Sequence, residues 1–467
     1  MTHFYITTAI PYVNAEPHIG FALELVQADT LARHRRLRGD DVRFLTGTDD
    51  NALKNVTAAR DAGLDVRTFV ARNTERFRAL RETLDLSYDD FIRTGFDARH
   101  AAGVERLWRA SAARGDFYLK SYTGLYCLGC EEFVTEPVCP EHGTVPEEVS
   151  EENWFFRLSA YTSQVLEALE HIRIEPAARR NEVLSLVRSG LQDISVSRPA
   201  ARSGGWGIPV PDDPSQVIYV WWDALANYVT ALDGPGEFDT WWQNAEKTHV
   251  IGKGITRFHA VYWPALLISA GLPLPDTIFV HDYLSVDGAK ISKTLGNGAH
   301  PKDLVAKYGT DAVRWWLLRE PARLDQTDFT EDRLIDRADT ELANGIGNLF
   351  NRVRGLSTGV SPFPPPRVPR SSGVCSPLAA KIDSALAVFD FKAATGAIVD
   401  AVTEANQLIE TSKPWQLKGS EREEVLDRLG RACWEIAHEL TPFLPAGAER
   451  LLAEPRAFPR LSEDRRG

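Results

Sequence analysis

The chain is short of positive charge, of methionine and of cysteine, and it has no long apolar run. Against 65 Asp and Glu stand 53 Lys and Arg, a formal net charge of -12. Bulk attraction to a polyanion is therefore excluded, and any contact with nucleic acid must use a local basic face or specific side chains. Methionine occurs once, at position 1. The many Ala, Arg and Gly residues read as coding bias and say nothing about chemistry. No stretch approaches the ~20 apolar residues of a membrane span. The opening MTHFYITTAIPYVNAEPHIG has neither the basic start nor the apolar core of a secretory signal. These absences lead to the expectation of a cytoplasmic protein with no membrane partner. Of the 5 cysteines, three fall between Cys127 and Cys139. In a reducing compartment such a cluster reads as metal ligation before disulfides.

A length of 467 residues suggests about two to four domains with ample cores. The run Phe4–Ile10 reads as a buried strand, followed by a loop with Pro11, Asn14 and Pro17. A helix from His18 to about Arg38 follows, stopped by Gly39, and then a second strand at Asp41–Gly47. This is a β–loop–α–β unit, the start of a parallel, doubly wound sheet. Helical patterns continue through Arg60–Leu84 and Ala98–Arg114. From about Tyr118 the periodicity gives way to Cys, Gly, Pro and Glu. Strand patterns resume at Val217–Trp222, Thr248–Gly252 and Thr277–Val280 and vanish after about Glu331. The expected fold is α/β: a split Rossmann-type nucleotide-binding domain with a zinc-containing insertion, followed by an all-α helical-bundle domain. The boundaries expected are 1–117 and 216–283 for the two Rossmann halves and 118–215 for the insertion. Residues 284–335 would hold a lysine loop and stem-contact region, and 336–467 the helical domain.

Pro17-His18-Ile19-Gly20 stands at a helix start directly after the first strand. Helix N-termini offer free N–H groups to phosphate. Gly20 lets a flat base lie against the backbone, and His18 can donate to a phosphate oxygen. Taken alone, a histidine at a helix start is commonplace. A second segment, Asp287–Asn297, pairs Lys290 with Lys293 in a Gly-flanked polar loop around Ser292. Two ammonium groups there can follow the charge that develops as pyrophosphate leaves, although a solvated surface loop would look the same. Cys127-x-x-Cys130 followed by Cys139-x-x-His142 supplies three thiolates and one imidazole at knuckle spacing. That set fits a closed, structural tetrahedral Zn2+ site. Asn344, Asn348 and Arg352 recur every four residues and so share one helix face. Amides and a guanidinium can read bases, while a plain solvated face would show the same pattern.

Together, His18-Ile19-Gly20 and Lys290-Ile291-Ser292-Lys293-Thr294 resemble the HIGH and KMSKS signatures of class I aminoacyl-tRNA synthetases. Ala9-Ile10-Pro11-Tyr12, Leu45–Asp49, Val220–Leu225, Arg257-Phe258-His259 and Gly309–Ala312 with Trp315–Glu320 narrow the resemblance to the methionyl-tRNA synthetases, over nearly the whole chain. The resemblance implies ATP-dependent adenylation of methionine, with Mg2+, and transfer to tRNA. It casts His18, Lys290 and Lys293 as catalytic, and His18, Gly20, Lys290, Ser292 and Lys293 as ATP-binding. It implies Asp49 as the partner of the substrate ammonium. The rest of the amino-acid pocket would be Ala9, Ile10, Tyr12, Trp221, Ala224, Leu225, Tyr228, Ile255 and His259. It also implies that Asn344, Asn348, Arg352 and Trp415 read a CAU anticodon. A thioether sits well against aromatic rings, which suits that pocket, although Trp221 and Tyr228 would equally suit an ordinary core.

The chain departs from the family pattern at several places. Phe21 replaces the last His of HIGH. Asp50-Asn51-Ala52-Leu53 stands where the family reads Glu-His-Gly-Gln, and Gly254 replaces an acidic residue. A tRNA-independent amino-acid-activating ligase on the same frame is the alternative these changes raise. A non-catalytic RNA-binding protein is a third reading, and the retained Lys290 and Lys293 argue against it.

Overall fold

The computed structural model describes residues 2–127, 132–140, 143–290, 299–357, 363 and 376–462. The chain divides into two compact units. One comprises Met1–Pro17, Asp40–Ala79 and Tyr88–His281; the other comprises His18–Gly39, Leu80–Ser87 and Asp282–Gly467.

The first unit holds thirteen strands among the described residues. They are β1 (His3–Thr8), β2 (Asp41–Thr48), β3 (Asp90–Arg93), β4 (Phe117–Cys127), β5 (Glu132–Val134), β6 (Glu147–Phe156) and β7 (Arg173–Glu175). There follow β8 (Ile194–Ser195), β9 (Ser197–Pro199), β10 (Pro209–Val210), β11 (Asp213–Ile218), β12 (Glu246–Gly252) and β13 (Thr277–His281). Six of them form a parallel sheet in the order β3-β2-β1-β12-β13-β7. Central β1 is buried on both faces over its last five residues, and it is an apolar run rather than an alternating one because a parallel sheet is covered on both sides. Ile6 is flanked by Phe44 on β2 and Thr248 on β12. Close approach of β2 to β3 requires Gly47, where a Cβ would meet the Ile92 carbonyl oxygen at 2.2 Å. The chain winds from β1 to β3 in one direction and through β12 and β13 in the other. The switch point therefore lies between β1 and β12, and ligands of such sheets bind beyond the carboxyl ends of the strands there.

Two antiparallel sheets complete this unit, β5-β4-β6-β8 and β10-β11-β9. Trp108, Phe117, Phe156 and Trp222 pack ring against ring, with centroids 4.2 to 6.0 Å apart. They tie β4 and β6 to the helices Ala98–Ala113 and Val220–Thr230.

Three details depart from the sequence reading. Val217–Trp222 is not a strand of the parallel sheet. β11 ends at Ile218, pairs antiparallel with β9, and Val220 opens a helix. A short apolar run does not distinguish a buried strand from a buried helix, and Tyr219 in extended conformation starts the helix. β7, within 118–215, is the edge strand of the parallel sheet, paired with β13. Residues 18–39 group with the C-terminal unit rather than with the flanking strands.

Among its described residues the second unit is helical, with one small sheet, β15-β14-β16, built from β14 (Leu284–Val286), β15 (Ala289–Lys290) and β16 (Thr327–Phe329). Its longest helices are Ile19–Leu37, Phe391–Ser412 and Gly419–Leu440. None of the described helices is long and apolar enough to cross a membrane.

Candidate active site

In the first unit, the carboxyl ends of β1, β2 and β12 run directly into Ala9-Ile10, Asp49 and Lys253-Gly254-Ile255. These are the strands on either side of the switch point. All ten residues expected to line the amino-acid pocket fall in this unit. Asp49 is anchored by its backbone: its N–H donates to the Pro11 carbonyl at 2.9 Å, and Tyr12 and Asp49 form an isolated parallel bridge. Ala9, Ile10, Trp221 and Ile255 are half-buried against the core that contains Leu225 and Tyr228. Tyr12 and Trp221 pack against Ala52, Tyr219 and Val220.

His259 organises one wall. Its Nδ1 lies 3.0 Å from the Ile255 carbonyl, which can only accept, so Nδ1 carries the proton. Nε2 therefore accepts from the Tyr228 hydroxyl at 2.7 Å. Trp221 stacks on Phe258 with centroids 3.8 Å apart and planes 5° apart, and it meets the His259 ring edge-on at 6.4 Å. The Tyr5 hydroxyl holds the backbone of Tyr228 at 2.9 Å. The result is an aromatic surface with one neutral, hydrogen-bonded imidazole.

Burial keeps that imidazole neutral and lowers its pKa from 6.5 to about 4, against a smaller opposing pull from the Ile255 carbonyl. The unfolded chain thus takes up a proton at His259 that the folded one refuses. Stability is expected to fall as pH drops from 6.5 towards 4, by up to about 3 kcal/mol from this group. Buried His249 is shifted in the same direction, chiefly by desolvation. Urea unfolding of His259→Gln across that range should show a shallower acid slope than the parent, and parallel slopes would contradict this account.

Asp50, beside Asp49, is fully buried. Thr48 donates to its Oδ1 at 2.9 Å, and Arg93 Nε stands 3.3 Å from Oδ2 in an ion pair without hydrogen-bond alignment. Burial raises its pKa to about 6, with Arg93 pulling the other way. The Trp206 indole donates to the Asp50 carbonyl at 2.8 Å, so the insertion helps to hold this loop. Asn51 links the loop to the helix Val220–Thr230, its Nδ2 donating to Asp223 at 2.7 Å.

In the second unit, His18 is the N-cap of Ile19–Leu37, and its Nδ1 accepts the Gly20 N–H at 3.1 Å. That leaves Nε2 to carry the proton and donate outward. The residue is exposed yet closely surrounded, and desolvation, with His300 nearby, lowers its pKa. Asp287 and Gly288, both at positive φ, turn the β14–β15 hairpin and bring Lys290 opposite Ser285. Ser292 and Lys293 lie outside the described residues. The chain returns at Ala299, whose carbonyl accepts the Ile19 N–H at 3.1 Å. The chain that follows the lysine loop thus meets the start of the helix Ile19–Leu37 at Ala299, within one unit.

The family model for class I tRNA synthetases (M) matches residues 4–144 and 134–354. The chain is 40% identical to the methionine–tRNA ligase of Brucella suis, covering 96% of this chain and 91% of that protein. It is 38% identical to the ligase of Thermotoga maritima, covering 96% and 74%. The methionyl-tRNA synthetase of Mycobacterium tuberculosis, solved with methionyl-adenylate, superposes with a TM-score of 0.86 at 37% identity, covering 97% of this chain and 93% of that one. The chain belongs to the class I methionyl-tRNA synthetases.

The rest of the synthetase pattern is distributed as follows. Asn344 and Asn348 are exposed four residues apart, on a helical run that passes from π-type at Ala338–Gly347 to α at Asn348–Leu356. Arg352 is half-buried and bonds to Asn406 at 2.7 Å and to Glu410. Asn344 accepts from Arg460 at 2.9 Å. Trp415 is 54% exposed after a left-handed Lys413. Cys127 and Cys139 are both buried. The Cys139 N–H bonds to the Thr144 carbonyl at 2.9 Å, and the Cys127 thiol lies 4.0 Å from the Thr144 hydroxyl. Cys130 and His142 lie outside the described residues, among which no group of three or more candidate ligands gathers.

Sequence reasoning gave no site role to Phe258, Asp223, His100, Asp50 or Arg93. Asp223 carried a signal, a carboxylate inside the apolar run Val220–Leu225. His100 carried none.

Proposed function

We propose that this synthetase joins methionine to ATP as methionyl-adenylate and passes the methionyl group to tRNA. The observation that carries the reading is that the carboxyl ends of β1, β2 and β12 bring a buried carboxylate and an aromatic, hydrogen-bonded wall into one unit. Asp49 pairs with the ammonium group. Trp221, Tyr228 and His259 face the thioether, with Ala9, Ile10, Tyr12, Ala224, Leu225 and Ile255 completing the pocket. Such a pocket separates methionine from near relatives by about 1–3 kcal/mol.

The carboxylate oxygen attacks the α-phosphorus of ATP, the bond to the bridging oxygen breaks, and pyrophosphate leaves. Positioning the two reactants accounts for much of the rate. His18 Nε2–H, the backbone at Gly20, and Lys290, Ser292 and Lys293 hold the phosphates that Mg2+ accompanies. A terminal ribose hydroxyl of tRNA then attacks the acyl carbon and AMP leaves. Asn344, Asn348, Arg352 and Trp415 contact the anticodon. Zn2+ fits Cys127, Cys130, Cys139 and His142 as a purely structural clasp, supported by the burial of the two described thiols.

The test is charging of a total tRNA pool with labelled methionine, beside methionine-dependent ATP–pyrophosphate exchange. Label on tRNA is expected. Exchange without tRNA label would instead support the tRNA-independent ligase, and neither activity from folded protein would defeat the proposal. Lys293→Ala should lower exchange by on the order of 10²-fold while leaving the unfolding midpoint unchanged. Exchange close to the parent's would remove Lys293 from the reaction.

A further inference from the structure

Asn51 touches two buried carboxylates at once. Its backbone N–H donates to Asp49 Oδ1 at 3.1 Å, and its side-chain Nδ2 donates to Asp223 Oδ2 at 2.7 Å. The other oxygen of Asp223 meets His100 Nε2, and His100 Nδ1 lies 2.7 Å from the Thr230 hydroxyl. The side chains of Asp223 and His100 are completely shielded from solvent. Asp223 and Thr230 stand on the helix Val220–Thr230, and His100 on the helix Ala98–Ala113. A loop residue is thus moored to a carboxylate that two helices hold in place. Swinging the amide away would strand a fully buried carboxylate oxygen, which is costly. The loop cannot shift without that cost, and the direction of the Asp49 carboxylate is fixed with it.

We infer that Asn51 is a positioning residue for the amino-acid substrate, aiming the Asp49 carboxylate through a brace made of Asp223, His100 and Thr230. The inference rests on the proposed pairing of Asp49 with the substrate ammonium. It gives the departure from the family's His at this position a physical content: a neutral amide supplies the donor that Asp223 needs and keeps the ammonium site free of a second titrating ring.

The experiment measures methionine binding by calorimetry, without ATP, and the KM and kcat of pyrophosphate exchange for the parent, Asn51→Ala and Asn51→His. Asn51→Ala should raise both Kd and KM for methionine about tenfold and change kcat by less than about threefold. Asn51→His, which offers a ring N–H to Asp223, should recover most of the affinity. Equal binding by the parent and Asn51→Ala, or a loss confined to kcat, would overturn the positioning role and leave the substrate reading intact. A folded parent that binds no methionine would overturn the substrate reading and this inference with it. Failure of Asn51→His to recover affinity, with its unfolding midpoint unchanged, would also count against the brace.

Discussion

Asp49→Asn is expected to abolish useful methionine activation, raising KM in pyrophosphate exchange by about 10³-fold. The residue is 1% exposed, and the loop that carries it is pinned at its backbone by Pro11 and Asn55. Water therefore cannot compensate when the charge is removed. An ammonium group entering the pocket of the variant would be desolvated without a counter-charge. Truncating one partner of a buried charge pair costs about 2–5 kcal/mol, and the near-complete burial places Asp49 in the upper half of that range. The substitution keeps the shape and one acceptor oxygen for the Asn51 N–H, so the unfolding midpoint should stay within about 2 °C of the parent, as for a change below 1 kcal/mol. A KM within a factor of about ten of the parent's, 1.4 kcal/mol or less, would show that the ammonium is held elsewhere.

Arg314→Met is expected to produce the largest loss of stability, about 3–5 kcal/mol, because it removes one of the two cations on a buried carboxylate together with the donor to a set of buried carbonyls. Arg314 is completely buried in the helical unit. Its Nε donates to the Phe443 carbonyl at 2.8 Å, Nη1 to Leu84 at 2.8 Å, and Nη2 to Pro442 at 3.2 Å. Nη2 also pairs with Asp29 at 2.8 Å, and Asp29 is itself fully buried. Arg33 and Ser87 complete the Asp29 shell, at 2.9 Å and 2.6 Å. One guanidinium thus joins the helix Ile19–Leu37 to the segment 80–87 and to the turn between the helices Gly419–Leu440 and Pro445–Ala453. Methionine fills the volume but takes a donor from four carbonyls, that of Asp85 at 3.3 Å included, and from a carboxylate. Arg314→Lys should rescue little, since an ammonium cannot reproduce the planar fork. Thermal unfolding would read the change as a fall of roughly 10 °C. A fall of less than about 1 kcal/mol would mean that the carbonyls find other donors.

The sequence determined the fold class and the ordered signatures. The helix Ile19–Leu37 and the strands at 41–48, 246–252 and 277–281 fall where periodicity and punctuation put them. Each is long or apolar enough to declare its period, and Gly39 ends the first helix by itself. The segments His18–Gly20 and Lys290–Thr294 stood out only as a pair, through their resemblance to the two signatures of the family.

What the sequence left open were properties that depend on partners distant along the chain. The run Val217–Trp222 has the same apolar composition whether it extends or coils, and only its packing made the second half a helix. β7 is three residues long, too short to carry a period, and its place at the sheet edge comes from pairing with β13. Arg314, a charge inside an apolar helix, looks like an error in the pattern until Asp29 and four carbonyls surround it. His100 lies 123 residues from the carboxylate it braces. Burial and hydrogen-bond partnership are set by the whole fold, so tertiary structure alone could turn Asn51, Asp223 and His100 from isolated polar residues into one connected brace.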